Sequence, residues 1–171
     1  MTRIGLISDT HSYMDDRIIH HLSGVDEIWH AGDIGNAAVS DALMAIKPYR
    51  AVYGNIDGGE LRRMHKANLY FRVDGVTVWM THIGGRPPRY AKGIKEELNR
   101  IRPNLFICGH SHILKVQKDH AQGGVLYMNP GAAGIHGFHK MRTLLRFNLH
   151  EGKIQDLEVV ELGPRARTTE V

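Results

Sequence analysis

An α/β fold built on a parallel sheet follows from two features of the first third of the chain. Apolar runs of strand length alternate with segments at helical spacing, in the order strand, helix, strand, helix, strand. Each of the three strands also stops in a polar loop, glycine-bearing after the second and third, which places the three loops on one edge of the sheet. Open α/β sheets bind their ligands at that carboxyl edge.

Ile4 to Ile7 is the first strand, a continuous apolar run suited to burial on both faces, and it ends in Asp9-Thr10-His11. Met14 to Leu22 places Ile18, Ile19 and Leu22 at helical spacing, with Asp15 and Asp16 suited to the first turn. Val25 to His30 is the second strand and opens into Gly32-Asp33. Asn36 caps a helix whose face carries Val39, Leu43 and Ile46, and Pro48 stops it. Tyr49 to Tyr53 is the third strand and leads into Gly54-Asn55-Ile56-Asp57. Asn68–Val73 and Val76–Met80 flank Asp74-Gly75, a type I′ hairpin signal, and the second of these strands ends at His82. Arg86 to Arg89 forms an irregular basic lip, and Tyr90 to Ile101 is an amphipathic helix. Leu105 to Cys108 is a buried strand opening into Gly109-His110-Ser111-His112. Leu114–Lys118 pairs with Val125–Met128, and two further strands cover Arg142–Leu149 and Lys153–Val160. The expected domain spans residues 1–161, and residues 162–171 form a polar tail that frays.

Composition narrows the classes. The chain has 171 residues, 42% hydrophobic and 23% charged, ordinary for a soluble globular domain. A single cysteine, Cys108, excludes an internal disulfide framework and fits a reducing compartment. No run reaches the length of a membrane span, and the apolar run before Asp9 is too short for a secretory leader, so a cytoplasmic location is expected. A net charge of +4 without a long basic run leaves no nucleic-acid surface evident.

Seven side chains collect at the strand ends: Asp9, His11, Asp33, Asn55, His82, His110 and His112. Alone, each aspartate could be a turn or helix cap and Asn55 a turn residue. Together they exceed one tetrahedral site and suit two adjacent metals sharing a carboxylate. Oxygen and imidazole ligands without thiolate favour Mn²⁺, Fe or Zn²⁺.

These spacings resemble the calcineurin-like metallophosphoesterase family, through Asp9-Thr10-His11, Gly32-Asp33, Gly54-Asn55, His82 and Gly109-His110-Ser111-His112. Small size and Gly54-Asn55-Ile56-Asp57 are most similar to the compact bacterial and archaeal phosphodiesterase branch, whose fold the retromer small subunit shares. The resemblance implies an α/β four-layer αββα sandwich of two mixed sheets. It implies two divalent metals, manganese first with iron, zinc or nickel as alternatives. One would sit on Asp9, His11, Asp33 and His112, the other on Asp33, Asn55, His82 and His110. It further implies cleavage of a P–O bond in a small phosphate ester by a hydroxide bridging the metals, with Asp33, Asn55 and His82 as the catalytic set. Relatives of this size often pair, so a homodimer or higher homo-oligomer is compatible.

Two positions depart from the family pattern. Many larger members carry His after Gly-Asn to protonate the leaving group, and the smaller branch usually has Cys. Ile56 stands here and can do neither. Ala132 stands where Ser is common. A general acid contributes roughly 10²–10⁴-fold, so the resemblance predicts diesters with good leaving groups cleaved faster than alkyl monoesters. His136, His139 or a metal-bound water could replace the missing acid. Asp57 could orient a ligand histidine or cap a turn, His30 could lie behind the ligands, and Arg86 and Arg89 could attract phosphate or stand solvated. His20, His21, His65, His120 and His150 are expected in water, and Cys108, Trp29 and Trp79 in the core. The alternatives are a phosphomonoesterase, or a non-catalytic binding scaffold of the same fold.

Overall fold

The computed structural model describes residues 1–166. Its first sheet is built from β1 (Thr2–Ile7), β2 (Glu27–His30), β3 (Tyr49–Ala51), β11 (Met141–His150) and β12 (Lys153–Pro164), in the order β12-β11-β1-β2-β3. The first three strands run parallel, joined through α1 (Asp16–Leu22) and α2 (Ala37–Met44), while β11 and β12 are antiparallel additions. Asp15 and Asn36 cap the two helices by accepting the N–H of Ile18 and of Val39.

The second sheet takes β4 (Asn68–Val73), β5 (Val76–Thr81), β8 (Leu105–Ile107), β9 (Lys115–Asp119) and β10 (Val125–Asn129), in the order β4-β5-β8-β10-β9. Asp74 and Gly75, both at positive φ, close the β4–β5 hairpin as their residue types require. β5, β8 and β10 are parallel neighbours, and α4 (Ile94–Ile101) crosses between β5 and β8.

Strand alternation sorts side chains into layers. Ile4, Leu6, Trp29 and Phe147 face Val78, Met80, Leu105 and Ile107 in a core between the sheets. Ile7 and Ile28 point the other way onto Ile18, Leu22, Val39 and Leu43 of α1 and α2. Trp79 and Phe106 pack outward onto Ile94 and Leu98 of α4. Burial of both strand faces accounts for the near-continuous apolar runs. The result is the αββα sandwich of two mixed sheets, with the ends of β1, β2, β3, β5 and β8 at one edge. No helix of the described residues is long and apolar enough to cross a membrane.

Several local expectations need correction. A short helix, α3 (Gly59–Met64), escapes the sequence reading because only Leu61 of its six residues is buried. The Arg86–Arg89 lip is a two-stranded hairpin, with β6 (Gly85–Arg86) paired to β7 (Arg89–Tyr90) around Pro87-Pro88. The following helix starts at Ile94 rather than Tyr90. His65 is half-buried and hydrogen-bonded to Ser40 rather than solvated. Leu162 to Pro164 continue β12 because Leu162 is buried against the α1 side of the sheet; residues 167–171 of the expected tail lie outside the described residues.

Candidate metal centre

Three of the five loops at the sheet edge hold strained backbone. Asp9, His11, Asp33, His110 and His112 all have φ between 45° and 71°. Side-chain-bearing residues rarely adopt that left-handed region, and it costs on the order of 1–3 kcal/mol per residue unless surrounding structure imposes it. Inter-loop bonds impose it here: Asp9 N–H donates to Gly32 O (3.0 Å), His11 N–H to Asp33 O (3.0 Å) and Gly109 N–H to His82 O (3.0 Å). Two motif glycines are required by close approach. A Cβ on Gly54 would collide with the Asp33 carboxylate and backbone N, and one on Gly109 with Ser8 Oγ and Asp9 Oδ2.

Each carboxylate is held by one oxygen, leaving the other for a ligand. Asp9 Oδ2 accepts from Ser8 Oγ (2.7 Å) and His110 N–H (3.1 Å), while Oδ1 is buried without a hydrogen-bond partner. Asp33 Oδ1 accepts from Ile56 N–H (3.1 Å), and its Oδ2 lies 3.2 Å from His82 Nε2 and 3.5 Å from His11 Nε2. His82 Nδ1 donates to Ala31 O (2.8 Å), which fixes a lone pair on Nε2. His112 Nε2 is 3.2 Å from Asp9 Oδ1, and Asn55 Oδ1 is 3.0 Å from His110 Nδ1.

Ligand atoms therefore fall into two groups, Asp9–His11–His112 and Asp33–His82–His110, each within 4.8 Å. Asp9 Oδ1, His11 Nε2 and His82 Nε2 are buried and unpartnered among the described residues, an arrangement costly for polar atoms unless something positive lies between them. Metal bonds of about 2.0–2.2 Å set neighbouring ligand atoms about 3.0–3.5 Å apart, as the shorter of these separations are. The donor set fits divalent cations. The field agrees: burial would raise the Asp9 and Asp33 carboxyls, yet the imidazoles around them outweigh it and hold both below the usual carboxylate range. Burial likewise opposes charge on His82, but Asp33 and Asp9 reverse it and its net shift is upward.

The remaining sequence candidates divide. His136 stacks on His11, ring centroids 4.6 Å apart, and lines the 530 Å³ cavity in front of the two groups. Asp57 does not orient a histidine; its carboxylate accepts the backbone N–H of Ile34 (3.1 Å), Gly35 (2.8 Å) and Gly54 (2.8 Å), tying the Asp33 and Asn55 loops together. His30 is fully buried behind the loops, accepting from Gly32 N–H on Nδ1 and bonded to Thr10 Oγ1 through Nε2. Its burial pulls the imidazole down to about 3, so it stays neutral. Arg86 and Arg89 are exposed on their hairpin and line no part of the cavity. Cys108 is core, its thiol pushed up to about 12 by burial.

Several residues with a part in the site escaped the sequence reading. Asn129 Nδ2 donates to Gly109 O (3.0 Å) and Ser111 Oγ (3.0 Å), fixing the His110–His112 turn. Ile113 and the fully exposed Phe138 join Ile56, which the sequence already marked, as apolar walls of the cavity, and Arg62 lines a smaller cleft beside Asn55 and His82.

Comparison with known proteins agrees with this geometry. A model of the calcineurin-like phosphoesterase superfamily domain matches residues 2–152. The chain belongs to that superfamily. Among relatives of this calcineurin-like phosphoesterase domain, a probable metallophosphoesterase of Mycoplasma pneumoniae is 29% identical over 168 residues, covering 92% of this chain and 96% of the relative. An archaeal phosphodiesterase shares the fold with a TM-score of 0.74 at 19% identity, over 93% of this chain and 99% of its own. Wild-type Vps29 of Entamoeba histolytica, solved with zinc, shares it with a TM-score of 0.71 at 14% identity, over 94% and 99%. Members of the family bind divalent metals, and the donor groups above are where this domain could hold them.

Proposed function

We propose that this chain is a phosphodiesterase working with two divalent cations, manganese first. Asp9, His11, Asp33 and His112 hold one cation, and Asp33, Asn55, His82 and His110 the other. The observation that carries the proposal is Asp33 Oδ2, placed between His11 Nε2 of one group and His82 Nε2 of the other. Two cations there would supply positive charge to phosphoryl oxygens and bring a water's ionisation toward neutral pH.

The chain's own residues set what is cleaved. Among the described residues no Lys or Arg lines the 530 Å³ cavity, whose outer walls are Ile56, Ile113 and Phe138. Such a wall favours the single negative charge and apolar ester arm of a diester over a monoester dianion. His139 donates to Gly134 O (2.9 Å), whereas His136 stands exposed at the rim. We assign His136, rather than His139, to hand a proton to the leaving group where Ile56 cannot.

The test is turnover of bis-aryl, mono-aryl and alkyl phosphates with Mn²⁺ and with a chelator. The proposal expects chelator-sensitive activity, fastest on the bis-aryl ester. Faster monoester cleavage, or turnover indifferent to chelation, would contradict it. The second reading, a binding scaffold, draws on the same exposed Phe138; metal-loaded protein without turnover on any of these esters is its signature.

A further inference from the structure

Behind the loop that carries His136 and His139 lies a separate cavity of 590 Å³, walled by Tyr13, Arg17, Ile135, Arg142 and Arg165, with Asp15 at its side. Its cationic side chains are anchored rather than free. Arg17 Nη1 donates to Leu162 O (2.8 Å), Arg165 Nε to His139 O (2.8 Å) and Arg142 Nε to Ala133 O (2.8 Å). Arg142 also pairs with Asp15 (2.9 Å) and lies under the Tyr13 ring, yet it is only 4% exposed and its Nη2 has no hydrogen-bond partner among the described residues. A buried donor without an acceptor costs free energy, and a charged guanidinium more than an ordinary polar group. Among the described residues the wall carries two positive charges beyond what Asp15 neutralises.

We propose that this cavity is a binding site for a small phosphorylated molecule whose phosphate sits on Arg17 and Arg165, with the buried charge of Arg142 behind them. Guanidinium forks match phosphate oxygens, and the excess of two charges matches a phosphomonoester dianion. The volume lies within the range of small-molecule sites and leaves room for an organic arm beyond the phosphate. Arg165 holds the carbonyl of His139, whose ring packs edge-on against His112, so the site shares a loop with the metal centre but does not depend on its ligands.

The experiment titrates glycerol 3-phosphate and inorganic phosphate calorimetrically into the full chain, loaded with Mn²⁺ and again after chelation. Expected is one glycerol 3-phosphate site per chain that survives chelation, and a loss of roughly tenfold or more in its affinity in R17Q/R165Q, equivalent to about 1.4 kcal/mol. Arg17→Gln alone, at an exposed position, serves as a milder variant should the double substitution fail to fold, with a loss of about threefold. Binding only in the presence of Mn²⁺, or unchanged affinity in the variants, would overturn the proposal. Binding of inorganic phosphate with exclusion of the ester would overturn the assignment to a phosphomonoester. Because the chelated arm contains no loaded metal centre, these failures are distinguishable from failure of the phosphodiesterase reading.

Discussion

His82 Nε2 lies 3.2 Å from Asp33 Oδ2, and the opposite nitrogen of the same ring donates to the Ala31 carbonyl. The backbone of the loop after β2 therefore fixes the tautomer of a histidine that follows β5 in the other sheet. Asp33, two residues after Ala31, offers the oxygen that this histidine faces. One short segment sets both partners, which makes the juxtaposition rigid before any cation arrives.

Asp57 is the strongest structural test of that rigidity. Its buried carboxylate satisfies three backbone N–H groups from the loops bearing Asp33 and Asn55. Asp57→Ala leaves these donors without an acceptor and is expected to destabilise the fold by about 3 kcal/mol in urea unfolding. Mn²⁺ affinity should fall with it. A change below about 0.5 kcal/mol would show that the loops hold without it.

His30 gives a pH signature. Burial pulls its folded value down from 6.5 to about 3, so the folded chain takes up no proton there over a range where the unfolded chain does. Its contribution to stability is therefore full above about pH 6.5 and is lost as pH falls from there toward 3. Urea midpoints of chelated protein at pH 7.5 and 4.5 should differ less in His30→Gln than in the wild type. An equal difference would assign the acid sensitivity to other groups.

The sequence made the ligands legible because each stands within a few residues of a strand end, and strands announce themselves by apolar runs. Asp9, Asp33, His82 and the His110–His112 pair needed only that local rule. The role of Asp57 was not legible, since an aspartate before Gly58 looks the same whether it caps its own turn or reaches a loop 22 residues back. α3 lacked an apolar stripe, and Arg142 sits in a strand pattern with nothing local to mark it as buried. Burial of charge is decided by which distant chain arrives, and no period in the sequence records that.

Phe138 separates recognition from stability. It is fully exposed at the cavity wall, so Phe138→Ala should leave the unfolding free energy within about 0.5 kcal/mol. Loss of an aromatic contact of about 0.5–1.5 kcal/mol should raise KM for a bis-aryl phosphate roughly 2–10-fold, with kcat little changed. An unchanged KM would remove the apolar wall from substrate recognition.

The central claim is that Asp33 joins two groups of ligands around two cations. Equilibrium dialysis against Mn²⁺, followed by metal analysis, tests it most directly on wild type, Asp33→Ala and His82→Ala. The account predicts two Mn²⁺ per chain in the wild type, one in His82→Ala, and loss of tight binding at both places in Asp33→Ala. A wild-type chain that retains one ion or none, or an Asp33→Ala chain that still holds two, would contradict it.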